Sequence, residues 1–143
     1  MAEPASDQKD VLQKVQSVQN AAARLITGTR RCERITPVLQ KLRWLPVRRR
    51  VEFKLACLIH QSLAGQTPSY LASDIQLTAD TGRPQLRSAS ERICVVPHTH
   101  NSFGDRRFSA AIPRVWNALP SHLRRDMNYR HFKHAPKGHM FRL

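Results

Sequence analysis

The apolar residues at the start of the chain recur at helical spacing. They are separated by three or four positions, as on one face of an amphipathic helix: Val11, Val15, Val18, Ala22 and Leu25. Ser6 or Asp7 can cap the start of this helix, and Gly28 can end it. The pattern therefore predicts a long first helix with a single apolar stripe.

Prolines and glycines divide the following residues into shorter helices. Thr36-Pro37 predicts an N-cap with proline in the first helical position, which opens a helix that reaches about Trp44. A third helix follows Pro46 and ends at Gly65, and a fourth short one begins at Pro68. We predict that residues 11–72 form a basic bundle of three to four helices, preceded by a disordered segment 1–10.

The second half of the chain shows a different pattern. Residues 73–92 are polar and turn-rich, and are predicted to form a long loop. The apolar run 93–97 contains β-branched residues and predicts a strand, with 101–105 as a turn and 107–109 as its partner in a short β-hairpin. One or two short helices complete a lobe over 93–134, and Pro136 and Gly138 predict a disordered tail over 135–143. The predicted fold class is mainly α.

Charge is the strongest compositional feature. The chain of 143 residues carries 24 Lys and Arg against 10 Asp and Glu, which gives a net charge of +14. Eighteen of the basic residues are Arg, whose planar guanidinium suits phosphate oxygens and base edges better than the Lys ammonium does. This balance favours a nucleic acid as partner over an anionic membrane, an acidic protein or a merely solvated surface.

The basic residues concentrate in two stretches, and we take them as candidate phosphate contacts. They are Arg24, Arg30, Arg31, Arg34, Arg43, Arg48, Arg49, Arg50 and Lys54 in the first stretch, with Arg124 and Arg125 in the second. Trp44 and Trp116 each lie near a proline at a predicted helix end. Both fit packing at a helix end, and stacking on an unpaired base is the alternative.

The sequence gives little support for a membrane span, a metal site or a catalytic site. No stretch of about 18 apolar residues is present, so no transmembrane helix is predicted. Cys32, Cys57 and Cys94 lack zinc-site spacing, and an odd number of isolated cysteines favours a reducing compartment, nucleus or cytoplasm. His98 and His100 point to opposite faces of an extended segment, which is poor geometry for a metal or nuclease site. We predict no metal, no cofactor and no enzymatic activity.

Several ordered runs carry a resemblance to a known family. They are VQNAAARLITG at 18–28, ITPVL at 35–39, LRWLPV at 42–47, RVEFK at 50–54, PSYL at 68–71, NSFGD at 101–105 and VWNALP at 115–120. Over about residues 11–133 the chain resembles the region downstream of the palm in reverse transcriptase polyproteins of non-LTR (LINE) retrotransposons of the jockey and chicken-repeat type. None of these runs is a catalytic signature.

The resemblance implies a thumb-like module without polymerase chemistry. The metal-binding aspartates of that family lie in a palm motif upstream, and no matching pair occurs here. It implies template RNA or an RNA–DNA hybrid as partner, with DNA as a further candidate, and an upstream polymerase domain as a neighbour. The run at 131–138 departs from the family pattern, which suggests decay. The alternative hypothesis is therefore an inert structural relic that formerly packed on the palm.

Overall fold

A computed structural model describes residues 4–82, 91–100, 107–126 and 128–142. The described residues are mainly helical, which confirms the predicted class. The α-helices are α1 (Pro4–Thr27), α2 (Ile35–Lys41), α3 (Val47–Leu63), α4 (Ser69–Ser73), α5 (Phe108–Asn117), α6 (Ser121–Arg125) and α7 (Tyr129–Arg142). A 3-10 turn covers Thr78–Thr81.

The chain divides into two compact units. The first unit is Met1–Val51 with Met140–Leu143, and the second unit is Glu52–His139. The division falls inside α3, whereas the sequence predicts separate lobes on either side of a loop at 73–92. The difference arises because the buried residues of α3 from Phe53 onward pack with elements from the second half of the chain.

The first unit packs α1 against α2 and closes α1 as the sequence predicts. Gly28 adopts the left-handed conformation with φ 66°, and the Thr29 amide donates to the Arg24 carbonyl at 3.2 Å. This is the hydrogen bond of a Schellman C-cap, which glycine accommodates without a Cβ clash. The second helix begins at Ile35, so Pro37 is its third residue, still within the turn where a missing amide hydrogen is harmless.

A glutamine on α1 fixes the turn that leads into α3. The side-chain oxygen of Gln16 accepts a hydrogen bond from the Val47 amide at 2.8 Å, and Gln19 donates to the Leu45 carbonyl at 2.9 Å. The Gln16 amide nitrogen also donates to Asn20 Oδ1 at 2.8 Å. Because the first amides of a helix have no partner within it, Gln16 acts as a cap supplied from another helix.

The second unit is built on a cluster of rings. His60 of α3 stacks on Phe132 of α7 with centroids 4.4 Å apart, and Trp116 of α5 lies 5.7 Å from the same Phe132 ring. Trp116 and Phe132 are completely buried. His60 Nε2 lies 2.8 Å from the Asp126 carbonyl oxygen, so that nitrogen carries the hydrogen and donates. These contacts join α3, α5 and α7 in one core.

The predicted β-hairpin is not supported. Residues 107–109 do not return as a strand, because Phe108 begins α5 and the apolar positions of that segment face the core at helical spacing. The segment after Arg92 pairs instead with residues 76–78: Cys94 forms an isolated antiparallel bridge with Leu77, and the Val95 amide donates to the Gln76 carbonyl at 2.8 Å. The predicted turn at 101–105 lies outside the described residues.

Both predicted disordered termini contain helix. The first helix begins at Pro4, within the segment expected to be disordered. The last helix continues through Pro136 to Arg142, although the sequence predicts a tail from residue 135. Pro136 is itself fully buried, so its ring contributes packing on the inner face of α7. Tertiary packing thus outweighs the local penalty that proline imposes on a helix.

Candidate nucleic-acid interface

The loop between α1 and α2 presents three exposed arginines. Arg30, Arg31 and Arg34 lie within seven residues of the end of α1, and each is exposed. Arg24, on the last turn of α1, is half-buried, and its guanidinium donates to the Glu33 carbonyl at 3.2 Å. Arg24 therefore stabilises the loop, while the other three side chains remain accessible to an anion.

Arg43 lies in the turn between α2 and α3 in an uncommon backbone conformation. Its φ is 54°, in the left-handed region that favours glycine. The Trp44 amide donates to the Leu39 carbonyl at 2.8 Å, so this turn is a Schellman C-cap in which arginine takes the glycine position. The Arg43 side chain is exposed.

The first turn of α3 supplies three consecutive arginines. Arg48 and Arg50 are exposed and Arg49 is half-buried. Arg48 and Arg49 each take part in an interaction within the protein. The position of this turn is set by the Gln16 hydrogen bond to Val47, so the arginines follow a fixed backbone.

The three candidate phosphate contacts of the second unit differ in their exposure to solvent. Lys54 and Arg125 are exposed. Arg124 is buried, with its Nη2 atom 3.5 Å from a carboxylate oxygen of Glu91. The prediction that Arg124 contacts phosphate is therefore wrong for this conformation, because its charge is directed into the protein and paired with an acid.

The two tryptophans have different environments. Trp116 is completely buried, and its indole nitrogen donates to the Arg92 carbonyl at 2.7 Å. Its neighbour Asn117 accepts from the Cys94 amide and donates to the Cys94 carbonyl, both at 2.9 Å. Because Trp116 is buried, it cannot stack on a base in this structure. Trp116 and Asn117 instead hold residues 92–94 through hydrogen bonds to their backbone. Trp44 is half-buried, so stacking at Trp44 stays a prediction.

Sequence analysis missed a group of cations on α7. Arg130 and Lys133 are exposed, and Lys137 is half-buried on the same helix. The spacing of these residues is helical, but Pro136 and Gly138 led to the prediction of a disordered tail. The signal that could have found them is the apolar pair Phe132 and Pro136 four residues apart, which marks a helix with one buried face.

Two of the three cysteines are buried, which disfavours the reactive thiolate form of their side chains. Burial raises the pKa of the Cys94 thiol to about 11, and burial also raises the pKa of Cys57. Cys32 is exposed. The rings of His98 and His100 lie 6.0 Å apart, and among the residues with described coordinates no group of three or more His, Cys, Asp or Glu could hold a metal ion.

No described helix has the length and apolar character that crossing a membrane requires. Comparisons with known proteins add no family: no family model, no curated protein and no solved structure matches this chain.

Proposed function

We propose that this chain is a non-catalytic nucleic-acid-binding module that contacts template RNA or an RNA–DNA hybrid through arginines of its first unit. The observation that carries the proposal is the exposure of these cations. From Arg24 to Arg50 the sequence has nine basic residues and one acid, Glu33, and seven of the nine are exposed: Arg30, Arg31, Arg34, Lys41, Arg43, Arg48 and Arg50.

Physical chemistry favours an anionic partner for such a surface. Like charges at this density repel one another, and a phosphate backbone both neutralises them and releases its condensed counterions. The arginines stand on two turns that are fixed by hydrogen bonds, so a partner need not order long mobile segments before binding. The family resemblance supports RNA or a hybrid as the nucleic acid, and the upstream polymerase domain as the source of catalysis.

The proposal is tested by binding across a salt series. Single-stranded RNA, duplex DNA and an RNA–DNA hybrid are titrated with the purified chain. If about six phosphates are neutralised, log K against log salt for RNA falls with a slope of roughly −4. Changing Arg30, Arg31 and Arg34 together to Gln should make that slope shallower by about 2, because each lost contact removes about 0.7.

A matched control removes equal charge elsewhere. Lys9, Lys14 and Arg107 are exposed and lie outside the candidate interface. Changing these three to Gln should leave the RNA slope nearly unchanged. If both triple variants lower affinity equally, binding reflects net charge alone and the proposed interface is wrong. Weak binding of wild type to every polyanion, with no steep slope, would contradict the function itself.

A second candidate function is structural, and the apolar face of α1 favours it. Six large apolar side chains are exposed on this helix: Val11, Leu12, Val15, Val18, Leu25 and Ile26. Leu25 is 85% exposed and Val18 is 71% exposed. Exposed apolar stripes of this kind are typical of protein–protein contacts. In this hypothesis α1 packs on the upstream polymerase domain that the resemblance implies, and the isolated chain has no activity of its own.

The fluorescence of a dye that binds exposed apolar surface distinguishes the structural hypothesis from the nucleic-acid-binding one. Wild type should bind the dye, and changing Val18 and Leu25 to Ser should reduce the signal while the RNA slope stays the same. Dye binding together with absent RNA binding supports the structural role. If the two changes leave dye fluorescence unaltered, the stripe is not an accessible docking face.

A further inference from the structure

One side of α7 carries only basic and imidazole side chains. Arg130, Lys133, His134 and Lys137 occupy positions i, i+3, i+4 and i+7, which place them along a single stripe of the helix. Arg130, Lys133 and His134 are exposed, and Lys137 is half-buried. The helix sequence YRHFKHAPKGHMFR contains no Asp or Glu. The stripe therefore has no neutralising partner on its own helix.

Contacts of α7 with the second unit hold the helix in place. Phe132 stacks on His60 at 4.4 Å, and the Tyr129 ring lies 5.7 Å from the same His60 ring. The Lys137 ammonium lies 5.4 Å from the centroid of the Phe53 ring, within range of a cation–π contact. These contacts hold the helix at its first and third turns, so the stripe has a fixed support.

A lysine from α3 extends the positive surface. Lys54, Lys133 and Lys137 all lie within electrostatic reach of the buried Cys57 sulfur and favour its thiolate, although burial is the larger effect and raises its pKa. Lys54 is exposed and follows Phe53, whose ring the Lys137 ammonium contacts, so the lysine of α3 stands beside the α7 stripe. Glu52 stands two residues from Lys54 on α3, a spacing at which helical side chains do not face each other.

We propose that the α7 stripe with Lys54 is a second phosphate-binding surface, which takes the backbone of a nucleic acid strand. From Arg130 to Lys137 the helix rises about 10 Å, which matches roughly three phosphates along one strand of a duplex. Like charges at these spacings destabilise a helix, and an anionic strand relieves the repulsion. The surface rests on the proposed function for the identity of its partner, but its residues lie entirely in the second unit.

The test compares two double variants at exposed positions. Arg130→Gln with Lys133→Gln removes two cations from the stripe, and Lys9→Gln with Lys14→Gln removes two from α1. Binding of a single-stranded oligouridine is measured across a salt series. The α7 variant should make the log–log slope shallower by about 1.4, because two contacts are lost at about 0.7 each. The α1 variant should leave the slope nearly unchanged.

Three outcomes separate this inference from the proposed function. If the Arg30, Arg31 and Arg34 variant lowers the slope and the α7 variant behaves like the α1 control, the α7 surface is wrong and the proposed function stands. If the α7 variant alone lowers the slope, the inference holds and the first-unit interface fails. If neither variant differs from its control, both are wrong.

Two further measurements test whether the α7 variant is folded and whether the surface binds lipid rather than nucleic acid. Unchanged far-ultraviolet circular dichroism and melting temperature show that the α7 variant keeps its fold, and both changed residues are exposed. Sedimentation with vesicles of phosphatidylserine and phosphatidylcholine tests the lipid alternative. If the α7 changes reduce vesicle binding and leave the oligouridine slope intact, the surface recognises lipid phosphate and the nucleic-acid assignment is overturned.

Discussion

The two units of this protein bury different amounts of apolar surface. Among the described residues, the first unit buries four apolar side chains: Ala23, Leu39, Leu45 and Met140. The second unit buries twelve, with Trp116, Phe132 and Ile59 among the largest. Both units add side chain-to-backbone hydrogen bonds, such as those of Gln16 and Gln19 in the first unit and those of Trp116 and Asn117 in the second. The first unit also exposes most of an apolar helix face and a dense set of arginines.

This contrast separates stability from recognition. Apolar burial is the main favourable term in folding, so burial contributes more to the stability of the second unit than to that of the first. The first unit leaves apolar and cationic side chains in water, where each is available to a partner. Substitutions should therefore differ in kind: loss of a buried apolar side chain in the second unit should lower stability, whereas loss of an exposed cation in either unit should chiefly change binding.

The largest expected effect is the loss of the buried indole. Trp116→Ala removes a completely buried side chain and leaves the Arg92 carbonyl without its donor. Such changes lower the free energy of unfolding by about 3 to 5 kcal/mol. The equivalent change at the half-buried Trp44 should cost roughly 1 to 2 kcal/mol, which is the ordinary range for point mutations. Urea denaturation followed by circular dichroism measures both, and equal losses would contradict the contrast between the units.

Alkaline pH should destabilise the second unit through Cys94. Burial raises the pKa of this thiol from 9.0 to about 11, so the folded protein retains a proton that the unfolded chain loses. Below pH 9 both states are protonated and stability is unaffected. Between pH 9 and 11 the free energy of unfolding should fall by as much as about 2 to 3 kcal/mol, because each pH unit between the two pKa values costs about 1.4 kcal/mol.

The Cys94→Ala variant isolates this effect, since other groups also titrate at high pH. The unfolding free energy of wild type minus that of Cys94→Ala should decrease steadily from pH 9 to 11, because only wild type carries the titrating thiol. A difference that stays constant over this range would show that Cys94 is not protected by burial.

Local sequence signals anticipated the first helices well. The three- and four-residue spacing of Val11 to Leu25 and the stop at Gly28 specify the body and the end of α1 without tertiary information, but not its start at Pro4. Gly65 ends α3 in the same way, with φ 70° and a hydrogen bond from the Gln66 amide to the Gln61 carbonyl at 2.9 Å. These are effects of nearest neighbours along the chain, and the sequence contains them completely.

The features that were missed depend on contacts between distant residues. Pro136 is unfavourable in an isolated helix, yet α7 forms because Phe132 stacks on His60, which lies far away in sequence. The β-branched run at 93–97 favours a strand, but Asn117 and Leu77 are its actual partners. The class of partner that the charge indicates stays a prediction, whereas the burial of Arg124 next to Glu91 depends on a residue 33 positions away and could not be read from composition.

A smaller effect is expected at the glutamine cap of the first unit. Gln16→Ala removes the acceptor for the Val47 amide and the donor to Asn20, so stability should fall by about 1 to 2 kcal/mol. The two tryptophans permit a local readout, because one lies in each unit. In a Trp116→Phe background the fluorescence of Trp44 should report a lower urea midpoint. In a Trp44→Phe background Trp116 should report a smaller shift.

The exposed Gln13 provides the control for the cap. Gln13→Ala removes a side chain of the same type from α1 without touching the turn before α3. The unfolding free energy that Trp44 reports should remain within about 0.5 kcal/mol of wild type. If both tryptophans report equal shifts for Gln16→Ala, the units unfold as one and the cap does not act locally.

The smallest effect is expected at Arg43, where stability and binding should move in opposite directions. The left-handed backbone at φ 54° costs any residue with a Cβ roughly 1 to 2 kcal/mol. Glycine avoids this strain, but its more flexible unfolded chain costs about 0.5 to 1 kcal/mol on folding. Arg43→Gly should therefore stabilise the protein by up to about 1 kcal/mol, and Arg43→Ala should not. Both variants lose one cation, so both should make the RNA salt slope shallower by about 0.7. Thermal melts and salt titrations of the pair separate backbone strain from charge, and a destabilised Arg43→Gly would show that this turn does not adopt the left-handed cap.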